Sequence, residues 1–138
     1  SLIAIHCSSN ESLKVLSIEP HPEVFKKLEK TKLFENKNVS SIQAGLSNFT
    51  GRGNLKEGIY GTGGSHIDNN DFIGDKSAGI FQINIKKFDE IEEIKLLSEN
   101  GLIKIDTEGF EYEVLEGAKS FIKHNKPLIM IEVLPDKA

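Results

Sequence analysis

The sequence predicts one α/β domain built on a mostly parallel sheet flanked by helices. Three observations predict it. Apolar runs of strand length alternate with helical repeats, proline, glycine and asparagine stand at the junctions, and 138 residues suit a single domain that buries roughly two thirds of its unfolded surface. Strand–helix alternation implies parallel strands joined by right-handed crossovers. No repeat or low-complexity tract divides the chain, so residues 1–138 are read as one unit.

Ser1 to Cys7 (SLIAIHC) is apolar but too short for periodicity to separate a strand from a helix end. Ser8 to Ser12 is a polar loop, and Leu13 to Glu19 (LKVLSIE) reads as a buried strand stopped by Pro20 and Pro22. His21 to Glu35 keeps helical spacing through Val24, Phe25, Leu28 and Leu33. Pro22 fits the first turn, where its missing N–H costs nothing. Val39 to Leu46 (VSSIQAGL) predicts a second strand leading into Ser47 and Asn48. Gly51 to Asp75, rich in Gly, Asn and Asp, predicts a long loop of the kind that is either functional or disordered.

Gly79 to Phe88 alternates as a half-exposed strand does, and Asp89 is placed to cap a short helix running through Leu97. Leu102 to Asp106 (LIKID) is a strand, and Phe110 to Lys123 a helix with Phe110, Val114, Leu115, Ala118, Phe121 and Ile122 on one face. Leu128 to Val133 (LIMIEV) is apolar throughout, as in a strand covered on both faces.

Composition narrows the function. Hydrophobic residues are 38% and charged residues 28%, as in globular proteins. The longest apolar runs fall far short of the ~20 residues of a membrane span. No basic leader or cleavage site marks a signal peptide, and without one the Asn-x-Ser/Thr triplets at Asn10, Asn38 and Asn48 carry no message. The net charge of −4 disfavours nucleic acid, which needs a basic stripe. Lys26, Lys27, Lys30 and Lys32 cluster, but Glu23, Glu29 and Glu35 among them make a solvated helix face. Cys7 is the only cysteine, which excludes an internal disulfide and a cysteine-based zinc site and favours a reducing, cytoplasmic setting.

In an open parallel sheet, ligands bind beyond the carboxyl ends of the strands. Those ends carry Glu19, Ser47 and Asn48, Asp106 to Glu111, and Glu132. Glu19, held at a strand tip, is placed either to accept hydrogen bonds from the two hydroxyls of a ribose or simply to meet the dipole of the helix that follows. Asp106-Thr107-Glu108-Gly109-Phe110-Glu111 sets three carboxylates between a buried strand and a helix. Helix capping is the bland account; a general base or a group that orients a substrate hydroxyl is the functional one. Asp68, Asp71 and Asp75 lack the glycine position of an EF-hand loop. The four histidines show no metal-ligand spacing, so no metal is expected. His66, among glycines, is kept as a substrate contact.

Five segments, in order, resemble one family. Ser17-Ile18-Glu19-Pro20-His21-Pro22, continuing to Leu28, is similar to the "EPxPxxxxxL" run of FkbM-type methyltransferases. Ala44-Gly45-Leu46-Ser47-Asn48 with Gly51 resembles their "ALSDxxG", and Lys87-Phe88-Asp89-Glu90-Ile91 their "LDE" step. Ile103 to Glu111 with Val114-Leu115 and Gly117-Ala118 resembles "IKIDVEGxExxVLxGA", the most specific of these, and Ile131-Glu132-Val133 the closing strand.

The resemblance implies a Rossmann-like methyltransferase fold, S-adenosylmethionine as methyl donor, and a hydroxyl on a sugar, lipid or polyketide-like small molecule as acceptor. It places Glu19 and Pro20 at the ribose, Ser47 and Asn48 near the adenine, Asp106 and Glu108 at the methyl and acceptor region, and Glu111 and His66 on the substrate. Asn48 stands where the family has Asp.

The chain opens at a segment similar to the helix after the family's "DxGANxGxxS" turn, so Ser1 to Cys7 is expected to be helical. The sheet is expected to be incomplete at both ends, with the strands ending at Glu19 and Asp106 left with unpaired edges. The alternative reading is an inactive Rossmann-like remnant or binding module. A Rossmann oxidoreductase is a poor reading, because no G-x-G-x-x-G follows a strand. The sequence does not specify the oligomeric state.

Overall fold

The computed structural model describes residues 2–8, 11–31, 38–58, 61–68, 79–96 and 101–132. Among them are strands β1 (Leu2–Ser8), β2 (Glu11–Ile18), β3 (Val39–Ile42), β4 (Gly45–Leu46), β5 (Gly51–Gly58), β6 (Gly61–Asp68), β7 (Ile80–Lys86), β8 (Gly101–Ile105) and β9 (Leu128–Ile131), and helices α1 (Pro22–Glu29), α2 (Glu111–Gly117) and α3 (Lys119–Asn125). The strands form two sheets, ordered β3-β2-β1-β8-β9 and β4-β7-β5-β6.

The fold is α/β, but its sheets are less uniformly parallel than the sequence predicts. In the first sheet β2 and β3 are parallel, as are β8 and β9. β1 runs antiparallel to both β2 and β8, which makes those two parallel to each other. The second sheet is mixed, with β4 parallel to β7 and β5 antiparallel to both β6 and β7.

The amino-terminal segment is therefore a strand, not the expected helix. It fills the centre of the first sheet, and the edges of β2 and β8 expected to be open are paired with it. Backbone N–H and C=O groups need partners when buried, and a seven-residue, mainly apolar segment beside two facing strand edges satisfies that need as a strand. Gly51 to Asp68 is likewise no loop but the β5–β6 hairpin; the remainder of the predicted loop, including Asp71 and Asp75, lies outside the described residues.

Register explains the core. Leu16 lies level with Ile103 through Ala4, and Ile18 with Ile105 through Leu2; Ile42 pairs Ile18, and Ile129 and Ile131 pair Ile103 and Ile105. Directly opposed residues share a face, so Leu16, Ile18, Ile42, Ile103, Ile105, Ile129 and Ile131 make one apolar surface. Val114 and Ala118 from the helices, with Phe88, Ile91 and Ile94, pack on it. A smaller core of Leu55, Ile83 and Ile85, flanked by Phe49 and Phe81, lies in the second sheet. β9 is an edge strand: Leu128 and Met130 are exposed, rather than covered on both faces as expected.

The predicted helix from Phe110 to Lys123 is divided at Ala118, whose φ of −107° is non-helical. α3 ends at Lys126 in the left-handed region (φ 47°), just before Pro127. Residues 88–96 form 3-10 turns, and Asp89 does not cap them. Its two carboxylate oxygens instead accept the N–H groups of Ser120 and Phe121, each at 2.8 Å. It thus satisfies free donors at the start of α3, thirty residues away. No helix among the described residues is long and apolar enough to cross a membrane.

Candidate active site at the strand tips

Because β2, β3, β8 and β9 are mutually parallel, their carboxyl ends lie on one edge. The registers align them further: Ile42, Ile18, Ile105 and Ile131 stand level across the sheet. The next residues, Gln43, Glu19, Asp106 and Glu132, therefore form a row. The ladder extends into it, with Glu19 N–H donating to Ile42 O at 3.1 Å and Glu132 N–H to Ile105 O at 3.0 Å. The backbones of Glu19 and Asp106 are two strand spacings apart, roughly 10 Å. Chain order runs outward from β2 to β3 on one side of β1 and from β8 to β9 on the other, so the gap is the topological switch point where such sheets bind ligands.

Glu19 is fixed by its neighbour. The His21 N–H donates to Glu19 Oε1 at 2.9 Å. His21 is buried, at 2% exposure. Its Nδ1 accepts the Glu23 N–H at 3.2 Å and caps α1, so its proton sits on Nε2, which donates to Glu57 Oε1 at 2.9 Å. The ring also packs on Phe81, with centroids 4.7 Å apart. One imidazole thus ties the tip of β2 to β5 and β7.

Asp106 accepts from Lys104 Nζ at 2.8 Å. The two are neighbours on one face of β8, at period two. The hydrogen bond to Asp106 and the attraction of its charge hold the Lys104 ammonium above its ordinary 10.5; burial opposes this and the charge of Glu132 adds to it.

Beyond Asp106 the backbone turns sharply. Glu108 has φ 54° and Gly109 φ 105°, and a left-handed glutamate costs of order 1–3 kcal/mol. Glu111 braces this turn. Its Oε1 accepts the Thr107 N–H (3.2 Å), the Thr107 hydroxyl (3.0 Å) and the Gly109 N–H (3.0 Å). Burial acts to raise the Glu111 carboxyl, but hydrogen bonds from Gly109 N–H, its own N–H and Thr107 outweigh it and hold it below the ordinary 4.5.

A carboxyl lowered on folding stabilises the fold above its ordinary value, and that contribution is lost as pH falls through the folded one. Acid melting curves of Glu111→Gln, which keeps the acceptor and removes the charge, should therefore fall less steeply below about pH 4.5 than those of the wild type. Parallel curves would remove the charge of Glu111 from the account.

The structure brings Glu19, Pro20, Asp106, Glu108 and Glu111 to the same edge. Ser47 and Asn48 are joined elsewhere. Ser47 is buried, its N–H donates to Lys86 O at 3.1 Å, and its carbonyl lies against Gly117 of α2; Asn48 is exposed. His66 stands opposite Lys56 in the β5–β6 ladder, and its side chain lies outside the described part of the molecule.

Four polar residues near this edge escape the sequence reading. Lys104 was detectable from its period-two spacing to Asp106. His21 was set aside for want of metal spacing, although its two flanking prolines mark a fixed backbone. Gln43 was hidden because Val39 to Leu46 reads as one strand while the chain leaves one sheet for the other at Gln43 and Ala44. Arg52 has no local signal.

The family model described as "Methyltransferase FkbM domain" matches residues 4–137. The chain belongs to the FkbM methyltransferase family. No curated protein matches it, and no solved structure does.

Proposed function

We propose that this FkbM domain is an S-adenosylmethionine-dependent methyltransferase acting on a hydroxyl of a sugar, lipid or polyketide-like small molecule. The observation that carries the reading is the row of Glu19 and Asp106 across the switch point. The residues present fit the ribose end of the cofactor: Glu19 is a half-buried carboxylate at a strand tip, with one oxygen held by His21. That leaves its other oxygen directed by a fixed frame, as recognition of paired hydroxyls requires. Pro20 shares the ribose side. Ser47 and Asn48 are assigned to the adenine side, where Asn48 offers its exposed carboxamide and buried Ser47 fixes the backbone beside it.

When bound, the cofactor supplies an electrophilic methyl carbon on a sulfonium. The work left to the chain is to align the acceptor oxygen with that carbon and accept its proton. Asp106 is assigned to the acceptor hydroxyl, with the Lys104 ammonium holding its carboxylate in place. Glu108, in its left-handed conformation, stands beside it. Glu111 acts on the substrate side by shaping the turn, and His66 is assigned to the acceptor.

Calorimetric titration of the full-length protein with S-adenosylmethionine tests the donor. Glu19→Ala should weaken binding by about 1–3 kcal/mol, the range for a lost hydrogen bond to a charged group. Glu19→Gln, which still accepts from His21, separates cofactor contact from local structure. Wild-type affinity in both variants would take Glu19 out of the site.

A further inference from the structure

We infer that His21 is a positioning residue for cofactor binding: its imidazole, held by Glu57 of the second sheet, fixes the Glu19 carboxylate and Pro20 at the tip of β2. The role rests on the reading of Glu19 as the ribose contact; the bonds that hold His21 do not depend on it.

The backbone makes Glu19 responsive to His21. Pro20 precedes His21 and Pro22 follows it, so a proline ring restricts the chain on either side. A residue before proline is confined to extended conformations, and His21 has φ −73° and ψ 120°. There its N–H meets Glu19 Oε1 at 2.9 Å, while its C=O accepts the Phe25 N–H at 2.8 Å. Displacement of His21 therefore reaches the Glu19 carboxylate within two residues. Pro20 lines a cleft of about 260 Å3 with Gln43, Arg52 and Asn84, on the side of Glu19 away from Asp106. The same short segment thus holds the carboxylate and one wall of the space beside it.

The ring completes the anchor. A buried imidazole is stable when both nitrogens are paired. Nδ1 accepts the Glu23 N–H at 3.2 Å, and Nε2 donates to Glu57 Oε1 at 2.9 Å. The second bond crosses from one sheet to the other. Glu57 is itself held: its N–H donates to Gly79 O at 2.8 Å, and its side chain passes over Gly79. Gly79 has φ 67°, and a Cβ there would stand 3.0 Å from Glu57 Oε2. Glu57 is thus a placed acceptor, although its side chain is 32% exposed. An asparagine would cap α1 as well as histidine does. What the imidazole adds is the reach to Glu57.

Calorimetric titration of the full-length protein with S-adenosylmethionine tests the role. His21→Asn keeps an acceptor for the Glu23 N–H and the backbone N–H to Glu19, but loses Glu57. Glu57→Leu cuts the same link from the other sheet and leaves the tip of β2 unaltered in sequence. Each should weaken binding roughly 5- to 30-fold. The double variant should be no weaker than the weaker single one, because both cut one link. Glu57→Gln still accepts from Nε2 and should restore wild-type affinity. Nitrogen NMR of the wild-type imidazole should place the proton on Nε2.

A histidine that only stabilised the fold would lower the melting temperature of His21→Asn and Glu57→Leu and leave their cofactor affinity, measured well below melting, unchanged. That result overturns the proposal. So do additive losses in the double variant, Glu57→Gln as weak as Glu57→Leu, or a proton on Nδ1. Glu19→Ala is titrated beside them. Wild-type affinity in that variant, or no binding by the wild type, would instead remove the reading of Glu19 and the role of His21 with it.

Discussion

Gly117→Ala should unfold the protein more easily by about 3 kcal/mol, the upper end of ordinary overpacking costs, and lower its melting temperature by about 10 °C. A Cβ at Gly117 would lie 2.1 Å from the Ser47 carbonyl oxygen and 3.0 Å from its carbon, with the Asn48 Cα at 3.5 Å. All three atoms are backbone, so no rotamer change relieves the overlap. Either α2 moves off the sheet or the Ser47 backbone shifts.

The second route disturbs the Ser47 N–H bond to Lys86 and with it the short β4–β7 ladder. The sign makes this a sharp test. Helix propensity alone favours alanine over glycine by up to about 1 kcal/mol. A variant as stable as the wild type, measured by thermal or urea unfolding, would mean that α2 does not sit this close to Ser47. The Gly117-Ala118 pair that resembles a family motif is thus explained by packing rather than by contact with a ligand.

That example shows which parts of the fold are legible in the sequence. β2, β8, α1 and α2 follow from local periodicity, because each has one apolar face and a marked end, and β9 follows from an apolar run opened by Pro127. Pro20 and Pro22, Asn125 to Pro127, and the carboxylates after Ile105 are punctuation that works at short range. β1 was not legible: a seven-residue, mainly apolar segment has no clear period of its own, and only two facing strand edges make it a strand. The β5–β6 hairpin was not legible because its glycines, asparagine and charged residues lack the β-branched signature; its ladder comes from pairing with β7.

The same division applies to the candidate site. Glu19 and Asp106 stand at strand ends that can be read directly. The contact that ties the tip of β2 to the second sheet cannot, since His21 to Glu57 spans thirty-six residues. Arg52 becomes a cleft residue only through its place opposite Asn84.

Asp106→Asn should slow methyl transfer by roughly 10²- to 10⁴-fold, the range for losing a positioned acid–base group, while leaving affinity for S-adenosylmethionine nearly unchanged. Transfer is measured with labelled cofactor on an acceptor that the wild type methylates. The substitution keeps the shape of the side chain and removes its charge. Asp106 also has a structural bond, to Lys104 at 2.8 Å, so slower turnover alone does not separate the roles.

Lys104→Met provides the separation. Both groups are partly exposed, at 41% and 30% of the side chain, and such a pair contributes little to stability. If the pair only ties down the tip of β8, the two variants should lose activity and stability to the same small extent. If Asp106 handles the acceptor proton, Asp106→Asn should lose far more kcat than Lys104→Met, with melting temperatures alike. A fully active Asp106→Asn would make Asp106 a structural partner of Lys104 and leave Glu108 as the carboxylate to test at the switch point.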